Sequence, residues 1–377
     1  MLNGIVMDYD NLQYLKDNNV NFDVLIHIYN PNVYHVNKYL NLNKMFNKFC
    51  NSLLILNTST NFGINSSLLK EFDSCDLCNV IFSDYNLTLN VFKYIDYKVC
   101  IFGSDKSQGN VDLKIAKAKG AKTIQISEQF VDFYYHGADI CLLICELQNE
   151  VFKDKDINVK NVIHSNCLVW DHVSDCLPYN LSYDEFCCKY NLNKNKPFFI
   201  WMPDGVQCQH SKAQEAYNKV CNLDNIIVKL HPMEYKRHKA DRLGGKWSYE
   251  VFCDRDDVAV LEPFDTYWCY KYCSSGIGYQ TSSGIEFGLF NKPFIYIDVD
   301  DLENNLLFGG LGNSFWGNNF SWVGDSCKLS ELEDFINNIS FDYGKDMEYM
   351  EHKSKFLYDP KLKSVDLLCD IIKKLLN

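Results

Sequence analysis

The chain lacks an excess of positive charge. Its 37 lysines and arginines stand against 49 aspartates and glutamates, a formal net charge of −12. A chain this acidic offers no general basic surface to nucleic acid. Long hydrophobic runs are missing too, since no stretch reaches the ~18 apolar residues that a membrane-spanning helix needs. The first residues have neither the basic nor the apolar segment of a secretory leader, so none is expected. Zinc-finger spacing is also absent: Cys75-x-x-Cys78 and Cys269-x-x-x-Cys273 have no second pair to complete a tetrahedral site. The 17 cysteines are scattered instead through apolar runs, as at Cys100, Cys141, Cys145 and Cys167. There a free thiol behaves as a small hydrophobe. Disulfide scaffolds belong to small secreted chains, so a reducing cytoplasm is the expected compartment.

What the chain does have is bulk for two cores: 377 residues, 47% of them apolar and 23% charged. Short, nearly continuous apolar runs recur in the first half at 22–29, 52–56, 80–83, 98–103, 122–127 and 140–145. Continuous rather than alternating runs fit strands covered on both faces by helices. Residues 112–119 read as a helix stopped by Gly120. A second series follows at 198–202, 225–232, 258–261, 276–280 and 293–298. Its helices are read at 211–221, 266–273 (capped by Asp265) and 285–290. The polar stretch 191–197, NLNKNKP, separates the two series. The fold class is therefore α/β, with Rossmann-like domains at 1–165 and 196–350 joined by a linker at 166–195. Within the linker Ser182-x-x-Glu185 reads as a capping box that starts a helix, and Ser330-x-x-Glu333 reads as another further on. The last segment, 351–377, ends in an amphipathic helix.

The chemistry concentrates in residues 273–298. A strand there leads into Thr281-Ser282-Ser283-Gly284 and a helix carrying Glu286 in its first turn. Hydroxyls and free backbone N–H groups at a helix start favour a phosphate. An ordinary capped α/β turn fits the same residues. Upstream, NIIVKLHP is a buried-strand pattern ending in Lys229 and His231. In doubly wound sheets ligands sit beyond the carboxyl ends of the strands, so both side chains belong at the ligand edge. Two elements supplying a cation and N–H donors suit a diphosphate.

The KLHP strand end, the loop Leu261-Glu262-Pro263-Phe264-Asp265 and the run TSSGIEFGLFNKPFIYID together resemble the donor half of GT-B transferases. The nearest likeness is to the CDP-glycerol glycerophosphotransferase-like group, which makes or decorates surface polymers. UDP-N-acetylglucosamine 2-epimerases are a more distant one. The resemblance covers residues 160–300 and the N-terminal half only in outline. It implies that His231, Ser282 and Ser283 hold the diphosphate of a nucleotide donor and that Glu286 handles donor hydroxyls. Lys229, Thr281 and Gly284 complete that set. The family's Asp before the two serines is replaced, since Tyr279 and Gln280 stand there.

The resemblance also implies two domains facing a cleft, with the final helix crossing back to the first domain. Docking of that helix on a membrane surface is the alternative. On the acceptor side these families use a His-Gly motif to supply the base. Here Glu128 directly follows a strand and His136-Gly137 comes eight residues later. Either can take a proton from an acceptor hydroxyl. The expected function is a cytoplasmic transferase moving a glycosyl or glycerophosphoryl group from the donor to a glycan or polymer hydroxyl. A UDP-sugar 2-epimerase and a non-catalytic nucleotide-sugar-binding module are the alternatives. No metal ion and no cofactor are expected, the donor being a substrate.

Overall fold

The computed structural model describes residues 5–6, 13, 17, 21–29, 53–58, 78–83, 85–103, 108–127, 135–146, 148–149, 161–166, 181–202, 211–223, 225–229, 258–262, 265–278, 283–290, 292–298, 326–338 and 362–377. The chain divides into unit 1, Met1–Asp171 with Lys355–Asn377, and unit 2, His172–Ser354. The α-helices used below are α1 (Tyr85–Tyr94), α2 (Gln108–Ala118), α3 (Tyr183–Lys189), α4 (Ser211–Cys221), α5 (Thr266–Tyr272), α6 (Ser283–Phe287), α7 (Leu332–Asn338) and α8 (Ser364–Leu376).

The sheet of unit 1 is made of β1 (Ile5–Val6), β2 (Asn21–Tyr29), β3 (Leu53–Thr58), β4 (Cys78–Ser83), β5 (Asp96–Phe102), β6 (Lys122–Ile126), β7 (Ile140–Leu143) and β8 (Val162–His164). They pair in parallel in the order β1-β4-β3-β2-β5-β6-β7-β8. From β2 the chain therefore walks outward through β3 and β4. It then returns to β2's other side and walks through β5 to β8. Parallel neighbours need crossovers that cover the sheet faces, which is why Val24, Leu25, Val99, Cys100 and Ile124 are all buried. Helix α8 buries Val365, Leu368, Cys369, Ile371 and Ile372, and it packs against β5. Leu362, just before α8, accepts a hydrogen bond from the Asn166 side-chain amide at 2.8 Å. The apolar stripe of α8 is thus covered by protein, against the membrane-docking alternative. No described helix is long and apolar enough to cross a membrane.

Unit 2 is built from β9 (Phe199–Met202), β10 (Ile226–Val228), β11 (Ala259–Val260), β12 (Ser275–Gly278), β13 (Phe294–Asp298) and β14 (Ser326–Lys328). All its pairs are parallel, in the order β11-β10-β9-β12-β13-β14. One core runs through Trp201, Val228, Ile277, Ile295 and Ile297. Both sheets are doubly wound, and the α/β fold class is as the apolar runs require.

Local signals held in some places and not in others. Ser182 and Glu185 form the expected capping box: the Glu185 N–H donates to Ser182 Oγ and the Ser182 N–H to Glu185 Oε2. Helix α3 itself belongs to unit 2, its Phe186 ring stacked on Phe198. Asp265 stands at the N-cap of α5 without capping it, because its carboxylate takes stronger partners. The box read at Ser330 and Glu333 lies earlier: the Lys328 N–H donates to Glu331 Oε2 at 3.3 Å, and a 3-10 turn precedes α7. Helix α2 begins at Gln108, four residues before the expected start. The cysteines whose side chains are described are free, and all of these but Cys188 are buried. Burial pushes the thiols of Cys141 and Cys273 up to about 12, far from nucleophilic at neutral pH.

Candidate active site

In unit 2 the strand order reverses between β9 and β12. Open α/β sheets bind ligands outside the carboxyl ends of the strands at such a reversal. The two strands end there at Met202 and Gly278, which are register partners. A Cβ at Gly278 would stand 2.8 Å from the Met202 carbonyl oxygen and 3.1 Å from Phe294 Cζ. Only glycine lets the backbones approach this closely, and the chain leaves β12 straight into residues 279–284. Helix α6 then opens at Ser283. A Cβ at Gly284 would meet the Tyr296 hydroxyl and come within 2.9 Å of Phe294 Cδ1. That glycine lets the first turn of α6 settle onto β13. Glu286 follows on α6, half-buried.

Lys229 directly follows β10, next to β9 in the sheet. Its N–H donates to the Trp201 carbonyl at 2.9 Å, extending the ladder by one rung. Burial, with the neighbouring Cys273, raises the Cys269 thiol well above its ordinary value, and the Lys229 charge works against this. The ammonium is therefore felt on the α5 side of the strand end. His231, Thr281 and Ser282 lie outside the described residues, as do the side chain of Ser283 and all of Glu128. Asp298 closes β13 and begins an Asp-x-Asp spacing with Asp300. Among the described residues, no group of three His, Cys, Asp or Glu is placed to hold a metal ion.

One buried acid in unit 2 escaped sequence reasoning as anything but a cap. Asp265 Oδ2 accepts from the Tyr190 hydroxyl at 2.5 Å and from Lys189 Nζ at 2.8 Å. Its Oδ1 has no hydrogen-bond partner among the described residues. Burial pushes this carboxyl above the usual carboxylate range, even with Lys189 beside it; that ammonium is part exposed and shared with exposed Glu262.

In unit 1 the reversal lies between β2 and β5. Near the end of β2, Nδ1 of His27 lies 2.5 Å from Oδ2 of Asp112 on α2, and both side chains are buried. His27 also meets Phe92 edge to face. The pair spans 85 residues and was not foreseen. Its one sequence signal was a histidine inside the apolar run FDVLIHIY. His136 and Gly137 lie on the segment between β6 and β7, half-buried. The His136 N–H donates to Oε1 of buried Gln125 at 3.1 Å. Gly137 holds a positive φ of 88°, and its carbonyl accepts from Lys117 Nζ at 2.8 Å. The His-Gly motif is thus part of an anchored loop segment.

No family model and no curated sequence matches the chain. Solved structures do match its fold. The wall teichoic acid polymerase TagF aligns with a TM-score of 0.60 and 13% identity, over 97% of this chain and 92% of that one. A putative UDP-N-acetylglucosamine 2-epimerase from Listeria monocytogenes aligns with a TM-score of 0.59 and 9% identity, over 94% and 96%. S. aureus MnaA in a co-structure with UDP aligns with a TM-score of 0.59 and 10% identity, over 94% and 97%. At these identities the likeness is one of architecture: the chain has the GT-B fold of two Rossmann-like units that TagF and the 2-epimerase share.

Proposed function

We propose that the chain is a GT-B transferase that moves a glycosyl or glycerophosphoryl group from a nucleotide-diphosphate donor to a hydroxyl of a glycan or polymer. The observation that carries this reading is the glycine-built reversal in unit 2. Gly278 lets the end of β12 close on the end of β9 and Gly284 seats the start of α6 on β13, while Lys229 follows β10 on the other side of β9. In this reading the diphosphate lies against that turn, with Ser282, Ser283 and His231 as further donors and Glu286 accepting from donor hydroxyls. Unit 1 supplies the base, from His136 or Glu128. The base takes the acceptor's hydroxyl proton as that oxygen bonds to the donor's anomeric carbon or β-phosphorus. The bond to the leaving nucleotide breaks, and its negative charge passes to the N–H groups and cations of unit 2. Groups fixed in advance around a developing charge stabilise it most effectively. TagF has been soaked with CDPG and MnaA carries UDP, which supports a nucleotide ligand here.

The epimerase likeness keeps a second reading in play. A donor panel separates the two. The protein is incubated with CDP-glycerol, UDP-N-acetylglucosamine and GDP- and CDP-sugars, and nucleotide release and sugar identity are followed. Release of CMP or UDP from one donor is the expected result. Interconversion of a UDP-sugar without release selects the epimerase. Binding with neither outcome reduces the chain to a binding module.

A further inference from the structure

The segment that carries His136 rests on helix α2 at Gly109, where any side chain would displace the imidazole. A Cβ at Gly109, in the first turn of α2, would stand 2.6 Å from Cδ2 and 2.7 Å from Nε2 of His136, with the Gly103 carbonyl at 3.3 Å. The imidazole therefore lies directly on the backbone of α2. Asp112 is three residues further along, and positions i and i+3 share a helix face. That carboxylate is held by His27 of β2 in the buried pair. Gln125 holds the His136 backbone from β6, and Lys117 holds Gly137 from the last turn of α2. The same helix thus touches both ends of the His-Gly segment and is itself tied to the central strand of the sheet.

We propose that Gly109 is a positioning residue for His136, and that the His27–Asp112 pair fixes where that glycine stands. The inference rests on His136 being the base, and it deepens that reading. Apolar and ring carbons settle at ~3.5–4.0 Å, so a methyl group at 109 moves the ring by roughly 1 Å. A misplacement of that size costs about 10²-fold in rate when the group must meet a reacting atom. Donor binding does not pass through this contact.

The test uses the full chain and the donor that releases nucleotide in the panel, CDP-glycerol or UDP-N-acetylglucosamine. Gly109→Ala is expected to lower kcat roughly 10²-fold with donor KM and melting temperature near the parent's. Asn110→Ala, exposed on the same turn, is expected to leave all three unchanged. In a His136→Ala background, Gly109→Ala is expected to add no further loss, since its effect runs through the missing ring. Parental kcat in Gly109→Ala overturns the proposal, as does an undiminished further loss in the His136→Ala background. If Gly109→Ala does not fold, Asp112→Asn takes its place: a lowered kcat at unchanged KM supports the proposal and an unchanged kcat overturns it. The failure of the base reading looks different, because then His136→Ala itself keeps its turnover.

Discussion

In unit 1 the strand order reverses between β2 and β5, and in unit 2 between β9 and β12. The topology around the two reversals is the same, yet the residues are opposite in kind. Unit 1 places a buried histidine and a buried carboxylate beside its reversal, with the Phe92 ring against them. Unit 2 places Gly276, Ile277 and Gly278 there, with Phe287, Phe294 and Trp201 filling the sheet faces. A polar pair fixes a helix in one orientation, because both partners lose their hydrogen bonds if it slides. Glycines do the reverse, letting backbone approach backbone, as Gly278 does at the Met202 carbonyl. The first device suits a unit that must aim a side chain, the second a unit that must receive a ligand's charged group on main-chain N–H groups.

Removing one member of the polar pair breaks the comparison most sharply. His27→Leu leaves Asp112 buried without its partner and is expected to cost unit 1 about 3–5 kcal/mol. Replacing both, as His27→Leu with Asp112→Leu, is expected to cost far less, since an apolar pair of similar volume often substitutes without loss. Amide hydrogen exchange of β2 and β5 in urea reads the effect unit by unit. A double variant as damaged as the single one would mean that the pair is not a unit. The matching change in unit 2 is Gly278→Ala. It presses a methyl group against the Met202 carbonyl and is expected to cost about 1–3 kcal/mol, read from exchange of β9 and β12. A neutral Gly278→Ala would mean that the strand ends have room to part.

The contrast between the units was only half legible in the chain. Continuous apolar runs such as FDVLIHIY and FFIWM announced parallel strands, because burial on both faces leaves no polar alternation. The helix after the hydroxyl-rich run was legible, α6 opening at Ser283 against an expected start at 285, while Thr281 and Ser282 lie outside the described residues. Strand β1, Ile5–Val6, was too short to stand out. The start of α2 was hidden by Gly109, a poor helix former that lies against the His136 ring. The same applies to His27 and Asp112: each was visible, but their pairing across 85 residues is tertiary and leaves no spacing to read. Asp265 failed as a predicted cap for a related reason. Its N-cap position was right, and Tyr190 and Lys189 from α3 and its end captured the carboxylate first.

The buried carboxylates Asp112 and Asp265 give the smallest and finest test. Asp112 lies on its histidine, whereas Asp265 has one oxygen bonded to Tyr190 and Lys189 and the other without a partner among the described residues. Burial raises the Asp265 carboxyl above its ordinary value, so the folded chain holds that proton more tightly than the unfolded chain does. A group of this kind adds stability that is fully present below the unfolded value of about 3.9. The contribution is lost as pH rises through the raised folded value. Asp265→Asn keeps the shape and the acceptor oxygen and cannot ionise. The stability difference between the two proteins is therefore expected to move in favour of the asparagine variant as pH climbs from 4, and to level off once the folded carboxyl is ionised. Urea unfolding at a series of pH values, followed at the aromatic cluster of Tyr183, Phe186 and Tyr272, measures it. A difference that moves the other way would show that the Lys189 ammonium outweighs burial. The half-satisfied carboxylate of unit 2 would then be as well paired as the one in unit 1.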